Sequence, residues 1–288
     1  MCDENTIKES DEYLGKLSRR EFTALAAGSA MAMMLPRAAN ALAVTSTDVE
    51  IETPDGVCDA LFVHPAEGQH PAVLMWPDIL ALRPAFRKMA TRLAESGYAV
   101  LCVNPYYRDA KSPVVAEGES FGDQATREKV MPMYRNLSAQ THQTDAKAFV
   151  AWLDEQSTVD TSRKVGTMGY CMGGPIIMRT AAAVPDRIGA AGSYHGGGLV
   201  TDRPDSPHLL IPQMKAQLLI AVADNDDERD PEAKKVLREE FAKNGLEAEI
   251  EVYEGAMHGW CVLDSRVYNH DPAEKAWART LAMFERAL

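Results

Sequence analysis

The sequence predicts an α/β fold: a mostly parallel central sheet with helices on both faces. Three observations carry that prediction. Short, uniformly apolar runs of buried-strand type recur along the chain. Segments of helical spacing lie between them, so strand and helix alternate as βαβ units. The chain has 288 residues, 46% of them hydrophobic, enough for one well-buried domain with little left for a second.

Taken in order, Val49 to Pro65 alternates apolar and polar residues around Pro54-Asp55-Gly56 and reads as a β-hairpin. Ala72–Trp76 and Ala99–Val103 are buried-type strands, with a helix over Ala85–Ser96 between them that ends at Gly97. Strand-like Val165–Gly169 runs into a helix from Met172, and Ile188–Tyr194 follows as a strand. Ala216–Ala223 is strand-like, Pro231–Asn244 helical, Ala248–Tyr253 strand-like again, and Asp271–Leu288 a closing helix. The stretch from Tyr106 to about Leu137 is polar and irregular. A loop this long inside a compact domain is either a cover over a functional site or a surface excursion with short helices of its own.

The amino terminus reads as an address. Arg19 and Arg20 precede an apolar, small-residue run from Thr23 to Leu35, followed by Ala39-Asn40-Ala41-Leu42-Ala43. This resembles a twin-arginine export signal over residues 1–43, leaving residues 44–288 as the domain. The run is too short for a bilayer, which takes roughly 20 residues, so no stable membrane anchor is expected. The expectation is passage through the twin-arginine translocase, cleavage after Ala41 or Ala43, and a periplasmic or secreted product. The alternative is an amphipathic helix that stays on the protein.

Charge and cysteines narrow the chemistry. A net charge of −12 argues against nucleic acid or an anionic membrane surface as partner. Five cysteines, Cys2, Cys58, Cys102, Cys171 and Cys261, form no CxxC pair, and no His or Cys cluster has zinc spacing. With no GxGxxG and no phosphate loop either, neither metal nor cofactor is expected. The redox state of Cys58, Cys102 and Cys261 is not legible from sequence.

Cys171 stands apart. Gly169-Tyr170-Cys171-Met172-Gly173-Gly174 follows a strand and opens a helix, the strand–turn–helix context of a nucleophile elbow. Side chains at Gly169 or Gly173 would crowd the neighbouring strand and helix. The turn lifts the thiol above the carboxyl end of the sheet, where open α/β folds bind ligands. A helix N-terminus there favours thiolate and aims the Met172 amide at the site as an oxyanion donor. The partners follow in the required order, acid and then histidine, each after its own strand. Asp224-Asn225-Asp226-Asp227 ends one strand; Glu254-Gly255-Ala256-Met257-His258 ends the next. Asp226 is the first choice of acid, with Asp224 and Asp227 as alternatives. His195, at another strand end, reads as a pocket residue rather than the base.

These residues resemble the dienelactone hydrolase (carboxymethylenebutenolidase) family over nearly the whole domain. The marks are the Gly-x-Cys-x-Gly-Gly elbow, the Ala-Asp-Asn-Asp strand end, Tyr-Glu-Gly-Ala-Met-His-Gly-Trp, and Asp78-Ile79-Leu80-Ala81 where the family carries an acidic turn. The resemblance implies an α/β-hydrolase fold and hydrolysis of a small ester or lactone through a thioester on Cys171. It assigns His258 to proton transfer, Asp226 to orienting it, and the amides of Met172 and Ile79 to the oxyanion. It makes Asp78 the carboxylate that contacts the thiol, and places Arg87, Tyr170, Trp260 and His195 around the substrate. Val262 stands where family members carry a carboxylate-binding arginine, which leaves the dienelactone itself one candidate among several. A thioesterase, deacylase or peptidase on the same scaffold, or a non-catalytic ligand-binding or redox-responsive protein, are the competing readings.

Overall fold

The structure, a computed structural model, describes residues 4–18, 23 and 41–288. The expected cleavage sites Ala41 and Ala43 fall within that range; Arg19, Arg20 and nearly all of the apolar run lie outside it.

An amino-terminal helix, α1 (Glu4–Lys16), precedes the domain. The domain then runs β1 (Val44–Thr53), β2 (Gly56–Pro65), β3 (Ala72–Trp76), α2 (Pro84–Glu95), β4 (Ala99–Val103), α3 (Gln124–Asn136), α4 (Ala139–Asp154) and β5 (Val165–Tyr170). It continues as α5 (Gly173–Ala183), β6 (Ile188–Tyr194), a 3₁₀ turn at Pro207–Gln213, β7 (Gln217–Ala223), α6 (Asp224–Arg229), α7 (Ala233–Lys243), β8 (Ala248–Tyr253) and α8 (His270–Ala287). Among the described residues the strands form one eight-stranded sheet in the order β1-β2-β4-β3-β5-β6-β7-β8. The β1–β2 hairpin is antiparallel and adds antiparallel to β4; every other pair is parallel. The α/β fold class expected from the strand–helix alternation is the one found.

Strand alternation assigns the two faces. Val73, Met75, Val100 and Cys102 pack with α2 and α8, through Phe86, Met89 and Phe284. Leu74, Trp76, Leu101 and Val103 pack with α4, α5 and α7, through Phe149, Ile177 and Phe241. All five residues of β3 and of β4 are buried, as strands covered on both faces must be.

Helix α4 is not among the elements expected above, although Ala146, Phe149, Val150 and Leu153 keep helical spacing. Its inner face carries His142 and Asp145 among Ala146, Phe149, Val150 and Leu153. These polar groups are buried because partners from elsewhere meet them. Asp145 receives the Tyr107 hydroxyl at 2.8 Å and the Arg108 guanidinium at 2.6 and 2.9 Å. A capping box between Ser138 and Thr141 fixes where the helix starts. The irregular stretch 106–137 contains one regular element, α3, after a run of turns. No helix among the described residues is long and apolar enough to cross a membrane.

The parallel register sets the site. Tyr170 lies opposite Tyr194, and Tyr194 opposite Ala221, so β5, β6 and β7 run abreast at their carboxyl ends. Their loops, with that after β8, open on one edge of the sheet.

Candidate active site

Cys171 is the first residue beyond β5 and adopts φ 52°. Its amide donates to the Tyr194 carbonyl at 3.0 Å, which ties the turn to β6. The glycines around it are set by contact. A Cβ on Gly169 would lie 2.2 Å from the Gly173 carbonyl oxygen, and one on Gly173 would lie 2.6 Å from that of Trp76. Both separations are impossible, so the strand and helix approach this closely only with glycine at each position.

Strain is confined to this neighbourhood. Among the described residues, the non-glycine positions with positive φ are Ala81, Cys171 and His195. Ala81 closes the turn after β3, Cys171 the turn after β5, and His195 the turn after β6. Such conformations cost on the order of 1–3 kcal/mol each and persist where surrounding structure enforces them.

His258 arrives on the loop after β8. Its backbone amide donates to Asn225 Oδ1 at 2.8 Å, and its Nδ1 lies 2.6 Å from Asp226 Oδ2. The imidazole also hydrogen-bonds Cys171. Burial alone would push His258 down, but the Asp226 charge, the charge on Cys171 and the hydrogen bonds to both lift it to about 9. Asp226 is pulled up by burial, yet His258 beside it prevails and holds the carboxyl down at about 2. The neighbouring acids are occupied otherwise. Asp224 accepts the Gly255 amide at 2.8 Å, and Asp227 pairs with Lys234. Of the three acids open in the sequence, Asp226 is therefore the one brought to His258. Asn225, which sequence reading passed over, sits in the flagged Ala-Asp-Asn-Asp strand end.

The turn after β3 faces Cys171. Asp78 accepts Leu80 N–H at 2.9 Å on its side chain, and its carbonyl accepts Ala81 N–H at 2.9 Å. The second bond fixes the Asp78–Ile79 peptide plane, and with it the Ile79 N–H. The elbow repeats the device: Gly174 N–H donates to the Cys171 carbonyl at 3.0 Å, fixing the plane that carries the Met172 N–H. The buried Tyr106 hydroxyl joins the two turns, donating to the Ile79 carbonyl at 3.0 Å with the Met172 sulfur at 3.2 Å.

Asp78 departs from the contact expected of it. Both its oxygens are taken by Arg83, at 2.6 and 3.0 Å, and Arg83 binds Asp264 at 2.7 and 2.8 Å on its other edge. Burial raises the Asp78 carboxyl, with the Arg83 charge opposing. The carboxylate is committed to the guanidinium, and the Cys171 charge reaches it through space. Arg83 and Asp264 were not singled out from sequence. The arginine that was, Arg87, lies one helical turn further along α2 and pairs with Asp48 of β1 at 2.6 Å. It does not line the cavity: Arg83 is the extended residue just before α2 and reaches into the site, whereas Arg87 lies within the helix and reaches Asp48 on the hairpin.

A cavity of about 430 Å³ opens over Cys171 and His258, within the range of small-molecule sites. Ile79, His195, Phe121, Val262 and Arg266 contribute to its wall. His195 is buried, and neither ring nitrogen has a hydrogen-bond partner. Burial, reinforced by His258, pushes it down to about 3, so its ring is neutral at 4.8 Å from the His258 ring. Tyr170 and Trp260 do not line the cavity. Tyr170 stacks on Tyr194 in the core, and Trp260 packs between His195 and Tyr253, so both support the site from below. Residues 118–123 of the irregular stretch do form part of the wall.

Among the described residues no group of His, Cys, Asp and Glu is arranged to hold a metal ion, and Cys58, Cys102, Cys171 and Cys261 are buried and form no disulfide.

Residues 58–288 match the family model of the dienelactone hydrolase family. The chain is 24% identical to the carboxymethylenebutenolidase of Pseudomonas putida over 81% of this chain and 93% of that one. Identity to the carboxymethylenebutenolidase of Rhodococcus opacus is 26%, over 77% of this chain and 83% of that one. Among solved structures it is similar to P91, a dienelactone hydrolase-like promiscuous phosphotriesterase from metagenomic libraries. The TM-score is 0.68 at 20% identity, covering 85% of this chain and 99% of that one.

Proposed function

The chain belongs to the dienelactone hydrolase family, and on that premise we propose that it hydrolyses a small ester or lactone through a thioester on Cys171. One observation carries the reading: Cys171, on a strained elbow at the floor of a cavity, hydrogen-bonds a buried His258 that Asp226 holds at 2.6 Å. The Cys171 thiolate attacks the carbonyl carbon, a C–S bond forms, and the oxygen takes the charge. The Ile79 and Met172 amides, each on a pinned peptide plane, hold that oxyanion. Collapse breaks the C–O bond, and the His258 imidazolium gives its proton to the departing alkoxide. Neutral His258 then takes one proton from water as its oxygen attacks the thioester carbon; the C–S bond breaks, and the product leaves as the carboxylic acid, which gives its proton to solvent. The imidazolium and thiolate are restored together. Asp226 holds the ring in register and stabilises its charged form.

Val262 in the wall, where a carboxylate-binding arginine is the family pattern, favours esters and lactones beyond the dienelactone. Export by the twin-arginine route, with a mature chain beginning near Ala41 or Ala43, is the accompanying proposal. It rests on the sequence pattern of residues 19–43.

The test is hydrolysis of a small aryl ester beside cis- and trans-dienelactone, by the full chain and by the chain cut after Ala43. Turnover that Cys171→Ala abolishes in folded protein is the expected result. Folded, reduced protein that leaves all three substrates intact in both forms would remove the hydrolase reading.

A further inference from the structure

Helix α1 lies against the mouth of the cleft. Thr6, Ile7 and Ser10 line the same cavity as Cys171 and His258, and Thr6 is 6% exposed. Its buried and half-buried positions, Thr6, Ile7, Glu9, Ser10, Tyr13 and Leu14, recur at three- and four-residue spacing, so one face meets the domain.

Charge holds that face in place on the loops that carry the catalytic groups. Glu9 Oε2 accepts Asn225 Nδ2 at 2.6 Å and Arg229 Nη2 at 2.5 Å. Asn225 is the residue whose other side-chain atom accepts the His258 amide, and Arg229 stands 3.8 Å from Asp226. Across the cleft Asp11 accepts Arg266, a cavity-wall residue, at 3.1 Å. An acidic helix is thus clamped between the acid loop and the histidine loop, directly above the nucleophile.

We propose that residues 4–16 are an intramolecular inhibitor: α1 closes the cleft of the full chain and admits substrate only when it leaves. The contacts suit release. Asp11 and Arg266 are more than half exposed, and Glu9 and Arg229 about one third, so the grip is weak per pair and screened by salt. The segment also precedes Arg19 and Arg20. Cleavage after Ala41 or Ala43 removes it, which couples activation to maturation and keeps the thiol covered before export. The inference concerns access to Cys171 and stands independently of the proposed reaction.

The experiment is alkylation of Cys171 in the full chain by a bulky maleimide, read by peptide mass spectrometry against Glu9→Lys/Asp11→Lys. Reversing both charges sets α1 against Arg229 and Arg266. Alkylation should then accelerate at least tenfold, and added salt should speed the wild type more than the variant. Equal rates, or a slower variant, would overturn the proposal and make α1 an ordinary wall of the site. Ester turnover followed alongside separates the two readings. Faster alkylation without hydrolysis in any form keeps the cover and discards the hydrolase; hydrolysis at equal rates with equal alkylation does the reverse.

Discussion

The Tyr106 hydroxyl donates to the Ile79 carbonyl at 3.0 Å, and the Met172 sulfur lies 3.2 Å from that hydroxyl. One buried side chain from the loop after β4 therefore ties together the two turns whose amides are proposed to hold the oxyanion.

Tyr106→Phe removes that tie while keeping the ring. Removing an oxyanion donor outright costs roughly 10²–10³ in kcat. Loosening two donors should cost less, so kcat should fall by roughly tenfold with KM nearly unchanged. Steady-state kinetics on a small aryl ester, with circular dichroism to confirm the fold, measures it. An unchanged kcat would show that the turns hold their planes unaided.

The His258–Asp226 pair makes a prediction about pH. His258 is raised above its ordinary 6.5 to about 9, so its stabilisation is complete below 6.5 and is lost as pH rises through about 9. Asp226 is lowered from 3.8 to about 2, so its share is present above 3.8 and lost as pH falls through about 2. The imidazolium needed by the leaving group thus persists to about pH 9, and kcat/KM should show an alkaline limb there. Asp226→Asn should lower activity and move the limb to lower pH. A limb that stays in place would mean that some other group titrates.

Arg83 neutralises two carboxylates at once, Asp78 in the turn after β3 and Asp264 in the loop after β8. Arg83→Met leaves Asp78 as an uncompensated buried charge, a change that costs about 3–5 kcal/mol where it has been measured. Denaturant unfolding should show a lower midpoint at unchanged slope. Arg83→Lys keeps the charge but not the two-edged fork, and should recover part of the loss. Equal stability of Arg83→Met and wild type would show that the network contributes nothing net.

The elbow is legible because its glycines are dictated by the close approach of strand, turn and helix, and because Cys171, Asp226 and His258 each follow a strand. Asp226 could not be separated from Asp224 and Asp227 by pattern. What separates them is the direction each side chain takes at the start of α6, where Gly255, His258 and Lys234 each claim one. Arg83 is not separable from Arg87 by pattern, because its reach into the site comes from the extended backbone that precedes α2, which only the packed turn after β3 fixes. Helix α4 keeps apolar spacing at Ala146, Phe149, Val150 and Leu153; what no local window contains is why His142 and Asp145 share that face, since their partners Arg179, Tyr107 and Arg108 come from distant parts of the chain. The contacts of α1 depend on complementary charges more than 200 residues away, which no local window contains.

The most direct test of the central claim is to find the acyl group. Protein cut after Ala43, mixed with an aryl acetate and quenched in acid during the first turnovers, should carry a single added acetyl on the peptide that contains Cys171. The label should vanish with hydroxylamine, as a thioester does, and be absent from Cys171→Ala. Steady hydrolysis with no acyl group on Cys171, or undiminished turnover in Cys171→Ala, would contradict the account and place the chemistry elsewhere in the cleft.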